Sequence, residues 1–182
     1  IVKFEKNISR ILEDKSIINI FVATPPSENF KIVKKLIFNN KNIFLEKPGF
    51  NKLIDILKVQ KFLKRSKSKL MFGYIYCYNN HILKIRKILD KKILGEIQYA
   101  SFSRKNLGPI RSDVDVDYDL TSHDLSIIIK LFNKLPKIKS YEKYSILKKN
   151  ISDISNLHLK LDKISIDITN SWLNPTKERL IK

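Results

Sequence analysis

The sequence predicts an α/β unit followed by an α+β unit, and three observations carry that expectation. Three short apolar runs, at 18–24, 42–47 and 69–73, alternate with helical patterns at 26–39 and 51–67. Two strictly alternating apolar runs meet near the end at Asp162-Lys163. Between these regions, at 73–78, the pattern changes style.

"INIFVAT" (18–24) is made of β-type residues without polar alternation, which predicts a strand buried on both faces. Pro26 at a first helical position, Glu28 in the first turn, and Phe30, Val33 and Ile37 at helical spacing predict a helix over 26–39, ending at Asn39-Asn40. "NIFLEK" is a second buried strand. Leu53, Ile56, Leu57 and Leu63 repeat the helical spacing through 51–67, and "KLMFG" (69–73) is a third strand. Strand, helix, strand, helix, strand implies a parallel sheet with crossover helices.

After Gly73, Ile82, Ile85, Ile88 and Leu89 form one stripe of a helix over 79–92, with Gly95 just past its end. "EIQYASFSRK" reads as a strand and "DLTSHDLSIIIKLF" as a helix. Leu157, Leu159 and Leu161 share one face, and Ile164, Ile166, Ile168 and Trp172 another, with Asp162-Lys163 as the hairpin turn. This predicts an antiparallel sheet with one buried face. The two units are expected at 1–73 and 74–182.

Length and composition fit a packed core: 182 residues, 43% hydrophobic. No run approaches the roughly 18 apolar residues of a membrane helix, and no signal-peptide pattern opens the chain, so a cytoplasmic protein without membrane association is expected. The single Cys77 excludes an internal disulfide, and no Cys/His cluster has zinc spacing, so no metal is expected. The net charge of +18 raises nucleic-acid binding as a reading. Lys+Arg exceed Asp+Glu by 16 to 6 in residues 1–72 and by 20 to 12 in 73–182, so the excess is dispersed rather than gathered into a stripe. A solvated lysine surface, of the kind an AT-rich genome encodes, is the preferred account. The chain begins on Ile1 and ends on "KERLIK" after a strand pattern, so an internal fragment of a longer protein is expected.

Two constellations carry chemistry. In parallel α/β sheets ligands bind beyond the carboxyl ends of the strands, where "ATPP" (23–26) and "EKP" (46–48) fall. Pro48 biases Lys47 toward an extended backbone, so the strand can deliver a lysine to that edge. A solvated strand terminus accounts for the spacing equally well. The second constellation is "DVDVDYDLTSHDLS" (113–126), where Asp113, Asp115, Asp117, Asp119 and Asp124 form an acidic island in a basic chain. Thr121 and Asp124 fit a capping box, and the other aspartates suit turns. His123 is left over. In a helix's first turn the dipole favours a neutral imidazole, usable as a base, and Asp119 could orient the ring. A purely structural histidine stays open as the alternative.

"VATPPSENF", "FLEKPGF" and "NLGPIRSDVDVDYDLTSHDLSII" resemble, in order and spacing, the Gfo/Idh/MocA oxidoreductases, over nearly the whole chain. That resemblance implies a partial Rossmann-type parallel sheet followed by a partial C-terminal α/β domain with a mostly antiparallel open sheet. It implies an NAD- or NADP-dependent dehydrogenase acting on a sugar, cyclitol or nucleotide sugar, and a homo-oligomer associating through the open sheet. It implies Lys47 as the active-site lysine, also near the nicotinamide, His123 as general acid/base, and Asp119 beside it. Thr24, Pro25, Pro26 and Glu46 would line the cofactor. Asn79, Arg104, Asn106 and Arg111 are the candidates for substrate contact, the last three toward a phosphorylated or carboxylated sugar because Arg forks suit such groups.

The chain departs from the family pattern in several places. Asn29 stands where the family often has His, and "GYIYCYNN" replaces "GHxxRYNP", putting Tyr74, Cys77 and Asn80 at the His, Arg and Pro positions. Gly49, Gly73, Gly95 and Gly108 cannot form G-x-G-x-x-G, so the phosphate-binding turn is expected upstream and the fragment alone is expected to be inactive. A catalytically inactive relative serving as a binding or regulatory subunit, and a basic nucleic-acid-binding module, are the alternatives from other classes.

Overall fold

In this computed structural model, residues 4–112 and 114–182 are described; Asp113 of the acidic island lies outside them. The chain divides into two compact units, one ending at Gly73 and the other starting at Tyr74.

In the first unit, Asn7 caps the short helix α1 (Ile8–Glu13) by accepting from the Ser9 N–H at 2.9 Å. Strands β1 (Asn19–Val22), β2 (Asn42–Leu45) and β3 (Leu70–Phe72) form a parallel sheet in the order β1-β2-β3. Helices α2 (Pro26–Phe38) and α3 (Leu53–Leu63) make the crossovers. Because the strand order runs in one direction and crossovers are right-handed, both helices fall on the same face. They bury Val22, Ile43 and Leu45 against Val33, Leu36, Ile37 and Val59. The expected burial of β1 on both faces is therefore corrected. Phe21 is 62% exposed and stacks on Phe44 at 4.8 Å, with Met71 next in register, on a sheet face that no described helix covers. Beneath the sheet, the buried Lys41 spends its Nζ donors on the carbonyls of Asp14 (2.6 Å) and Ile17 (2.7 Å), tying down the segment after α1.

The second unit opens with a 3-10 turn (Ile75–Tyr78) and helix α4 (Asn80–Asp90), then strand β4 (Tyr99–Leu107). A π-helical turn (Asp117–Thr121) runs without a break into helix α5 (Ser122–Phe132). Strands β5 (Lys137–Tyr144), β6 (Ile154–Leu161), β7 (Ile164–Ser171) and β8 (Leu173–Ile181) complete a sheet in the order β5-β6-β7-β4-β8. The β6–β7 hairpin turns at Asp162-Lys163 as expected, with Asp162 at φ 52°. The sheet is mostly antiparallel, as expected, with one parallel pair: β4 enters between β7 and β8 and pairs with β7 in parallel. Helices α4 and α5 pack on one face over Phe102, Leu157, Leu159, Ile166 and Ile168.

Two strands lie outside the sequence expectation, and both are edges. β5 is lysine-rich and exposed throughout, and β8 carries Pro175, which cannot donate to an inner ladder. Trp172, at the β7–β8 junction, is fully buried with Val116 and Leu120 rather than continuing the Ile164–Ile168 face.

Among the described residues, no helix is long and apolar enough to cross a membrane. None of them form a group of three or more His, Cys, Asp or Glu able to hold a metal ion.

Candidate active site

The first unit places Thr24 and Pro25 just past β1, and Glu46 and Lys47 just past β2, at the carboxyl edge of the parallel sheet. Pro26 starts α2, where its missing N–H has no intrahelical partner to lose. The Thr24 hydroxyl donates to Asn29 Oδ1 at 2.6 Å, and Asn29 Nδ2 donates to the Gly49 carbonyl at 2.6 Å. Asn29 is 1% exposed, so a buried amide joins the turn after β1 to the loop that carries Lys47.

Gly49 and Phe50 pin that loop further. The Lys47–Pro48 peptide is cis, and Gly49 follows at φ +88°. A Cβ on Gly49 would lie 2.4 Å from the Phe72 ring, so both backbone and space demand glycine there. Phe50, buried, meets Phe72 edge to face at 6.1 Å. Glu46 continues the ladder through its N–H to the Val22 carbonyl (2.9 Å), and its carboxyl group occupies the space a Cβ on Gly73 would crowd at 3.2 Å. A hydroxyl, a carboxylate, an ammonium and strand-end backbone at one edge suit the nicotinamide and ribose end of a dinucleotide. Among the described residues of this unit, no glycine-rich turn is present for the pyrophosphate.

In the second unit, the helical spiral begins at Asp117, which moves His123 from the first turn to the second. The capping box is corrected accordingly. Thr121 has helical dihedrals and makes no cap bond, because the chain before it already supplies a turn of helix. Asp124 turns instead to Arg104 on β4. Arg104 Nη2 lies 2.8 Å and Nε 3.2 Å from Asp124 Oδ1, with both side chains nearly sealed from solvent. Burial pulls the Arg104 pKa down, but the Asp124 carboxylate outweighs it and holds the guanidinium charged, above its ordinary range. With its oxygen turned to the Thr121 hydroxyl (2.6 Å), the Asn170 amide donates to Asp124 Oδ2 at 3.3 Å. Arg104 therefore serves the interior and is not turned toward a substrate as expected, since a desolvated guanidinium must have a counter-charge at contact.

His123 is half-buried, and its ring meets Tyr76 edge-on at 5.0 Å and 85°. Arg104 lies over the same Tyr76 ring at 4.6 Å and Arg179 of β8 at 6.0 Å. Asp119 accepts from the indole N–H of buried Trp172 at 3.2 Å and lies 3.9 Å from Arg111. Asn79 caps α4 by accepting from the His81 N–H at 2.9 Å, and the Asn106 amide bonds the Gly108 carbonyl. Cys77 contacts the Ser126 carbonyl at 3.5 Å. The structure thus gathers His123, Tyr76, Arg104, Asp124, Asn170 and Arg179 in the second unit, and Thr24, Asn29, Glu46 and Lys47 at one edge of the first. Tyr76, Asn170 and Arg179 went unnoticed in the sequence. Asn170 and Arg179 depend on the register of strands whose pairing residue spacing does not reveal, and Tyr76 lies in a 3-10 turn far in sequence from the residues it meets.

Residues 2–74 match the family model for Gfo/Idh/MocA, described as an oxidoreductase family with an NAD-binding Rossmann fold. The chain is 24% identical over 148 residues to an oxidoreductase of Formosa agariphila, covering 73% of this chain and 46% of that one. It is 25% identical over 122 residues to an inositol 2-dehydrogenase of Rhizobium meliloti, covering 64% and 37%. It spans less than half the length of these curated relatives. The fold is shared with a solved NAD-binding protein from Listeria innocua, at a TM-score of 0.86 and 18% identity, over 97% of this chain and 53% of that one. Residues 2–74 thus match the NAD-binding Rossmann fold of the Gfo/Idh/MocA oxidoreductases, and the chain beyond them is similar in sequence and fold to the proteins named here.

Proposed function

We propose that this chain is part of a cytoplasmic dehydrogenase that transfers hydride between NAD or NADP and a secondary alcohol or ketone of a sugar, cyclitol or nucleotide sugar. Its residues 1–73 serve the dinucleotide and residues 74–182 the substrate and self-association. The observation that carries the reading is the Lys47 loop: a lysine at the carboxyl edge of a parallel sheet, fixed by Asn29, Gly49 and Phe50 although a solvated terminus would need no such fixing. The inositol 2-dehydrogenase relative supports a polyol substrate.

Thr24, Pro25, Pro26 and Glu46 are assigned to the cofactor edge, with Lys47 at the nicotinamide end. The nicotinamide group supplies the hydride exchange when bound. His123 takes or returns the hydroxyl proton, Lys47 assists with its ammonium charge, and Asp119, itself held by Trp172 and Arg111, fixes the polar surroundings. Arg111 is kept as a substrate contact. The side of the second sheet away from α4 and α5, with its Tyr99–Asp167–His158 hydrogen bonds, is assigned to self-association. The dispersed lysines are assigned to solvent rather than nucleic acid.

The test is turnover of the full-length protein with NAD and NADP on a panel of cyclitols, sugars and nucleotide sugars. His123→Asn or Lys47→Ala is expected to lower kcat by roughly 10²–10⁴ with the fold intact, the scale of a general acid/base group. Unchanged turnover removes the assigned roles. This chain alone is expected to bind NAD weakly or not at all, which calorimetry checks. A noncatalytic subunit is the second reading, favoured by the altered 74–80 segment. It is established if the full-length protein binds NAD but turns over nothing on the panel.

A further inference from the structure

Across the second sheet, register partners Ser155, Asn170, Arg104 and Arg179 form one line from β6 to β8. One line earlier the same strands present Leu157, Ile168, Phe102 and Ile181. The helix-covered side of the sheet therefore changes from apolar to polar in a single step, beside His123.

Three members of the polar line are directed inward. Ser155 and Asn170 are fully buried, Asn170 bonds Thr121 and Asp124, and the Arg104 charge is matched by Asp124. Arg179 differs. It sits exposed on the edge strand with its guanidinium over the Tyr76 ring at 6.0 Å, and among the described residues no carboxylate pairs with it. Asp124 feels its field but is already bound to Arg104. The same Tyr76 ring carries the His123 imidazole at 5.0 Å. A planar fork over an aromatic ring, on an exposed residue of an edge strand, is suited to two oxygens of an anion.

We propose that Arg179 binds an anionic group, phosphate or carboxylate, on the substrate whose hydroxyl reaches His123. This rests on the dehydrogenase reading and narrows its substrate class to acidic or phosphorylated polyols. Arg104, which lies over the same Tyr76 ring, is excluded from that role by its burial.

The test uses the full-length protein, with inorganic phosphate, myo-inositol and myo-inositol 1-phosphate as probes. Phosphate is expected to shift the Arg179 Nε–H resonance saturably, the signal being assigned by its loss in Arg179→Lys. Calorimetry is expected to show myo-inositol 1-phosphate binding tighter than myo-inositol by about tenfold or more, the scale of charge-assisted hydrogen bonds. Arg179→Gln removes that preference, and Arg179→Lys keeps part of it. If phosphate moves the resonance while neither inositol binds, the anion site stands and the polyol reading fails. If inositol is turned over while phosphate leaves Arg179 unmoved, or if the preference survives Arg179→Gln, the anion site is overturned and the dehydrogenase reading is untouched.

Discussion

Arg104 and Asp124 meet at 2.8 Å inside the second unit, 5% and 2% exposed, and join strand β4 to helix α5 one residue after His123. Removing either partner leaves a desolvated charge behind. Asp124→Asn or Arg104→Leu is expected to cost about 3–5 kcal/mol in urea unfolding, whereas replacing both with apolar residues costs less than either alone. Single variants within about 1 kcal/mol of wild type would show that the pair is hydrated in solution.

Gly49 and Gly95 separate backbone strain from steric exclusion. Both have positive φ, +88° and +71°, but a Cβ on Gly95 meets nothing within 4 Å while one on Gly49 strikes the Phe72 ring. Gly95→Ala should cost about 1 kcal/mol, the left-handed penalty alone. Gly49→Ala should cost clearly more, and should also shift the Phe72 and Phe50 ring resonances. Equal losses at the two sites would mean that the Lys47 loop yields freely.

Asn29 bridges Thr24 and the Gly49 carbonyl from a buried position. Asn29→Leu fills similar space but leaves both partners without that bond, so a loss of about 1–3 kcal/mol is expected. Under the proposed function, the same change in the full-length protein should lower kcat by displacing Lys47, whereas Thr24→Val should change stability less because Thr24 faces solvent.

His158 and Asp167 are cross-strand partners, Nδ1 to Oδ1 at 2.7 Å, on the side of the second sheet away from α4 and α5. The His158 hydrogen bond is the largest influence on the Asp167 carboxyl; it outweighs burial and, joined by the bond from Tyr99, holds the group below its ordinary value of 3.8. A depressed folded-state value means that the contribution is present above the unfolded-state pKa and is lost as pH falls through the folded one. Wild type should therefore exceed His158→Gln in stability above about pH 5, with the gap closing under acid. The carboxyl ¹³C titration of Asp167 should move upward in His158→Gln; an unmoved midpoint would show that the contact is not formed in solution.

Local signals carried much of the fold. Helix α2 and the β6–β7 hairpin follow from neighbours in the chain: Pro26, Glu28 and the Val33–Ile37 stripe for the first, strict alternation around Asp162-Lys163 for the second. Strands β5 and β8 carry no such signal, because neither holds an uninterrupted apolar run or a sustained apolar/polar alternation. That is why the lysine-rich β5 and the proline-bearing β8 were invisible, and Arg179 with them. Thr121 and Asp124 misled for a related reason, since their spacing matches a cap only where a helix begins.

By itself the sequence determined the alternation of strands and helices, the strand-end position of Lys47 and the helical position of His123. Each of these depends on residues within a few positions of one another. Only the tertiary structure decided that β4 inserts between β7 and β8, that Asp124 neutralises Arg104, and that Tyr76 stands between His123 and two arginines. Those relationships join residues tens of positions apart. They are set by register and burial, under which a desolvated arginine must find its carboxylate and an exposed one need not.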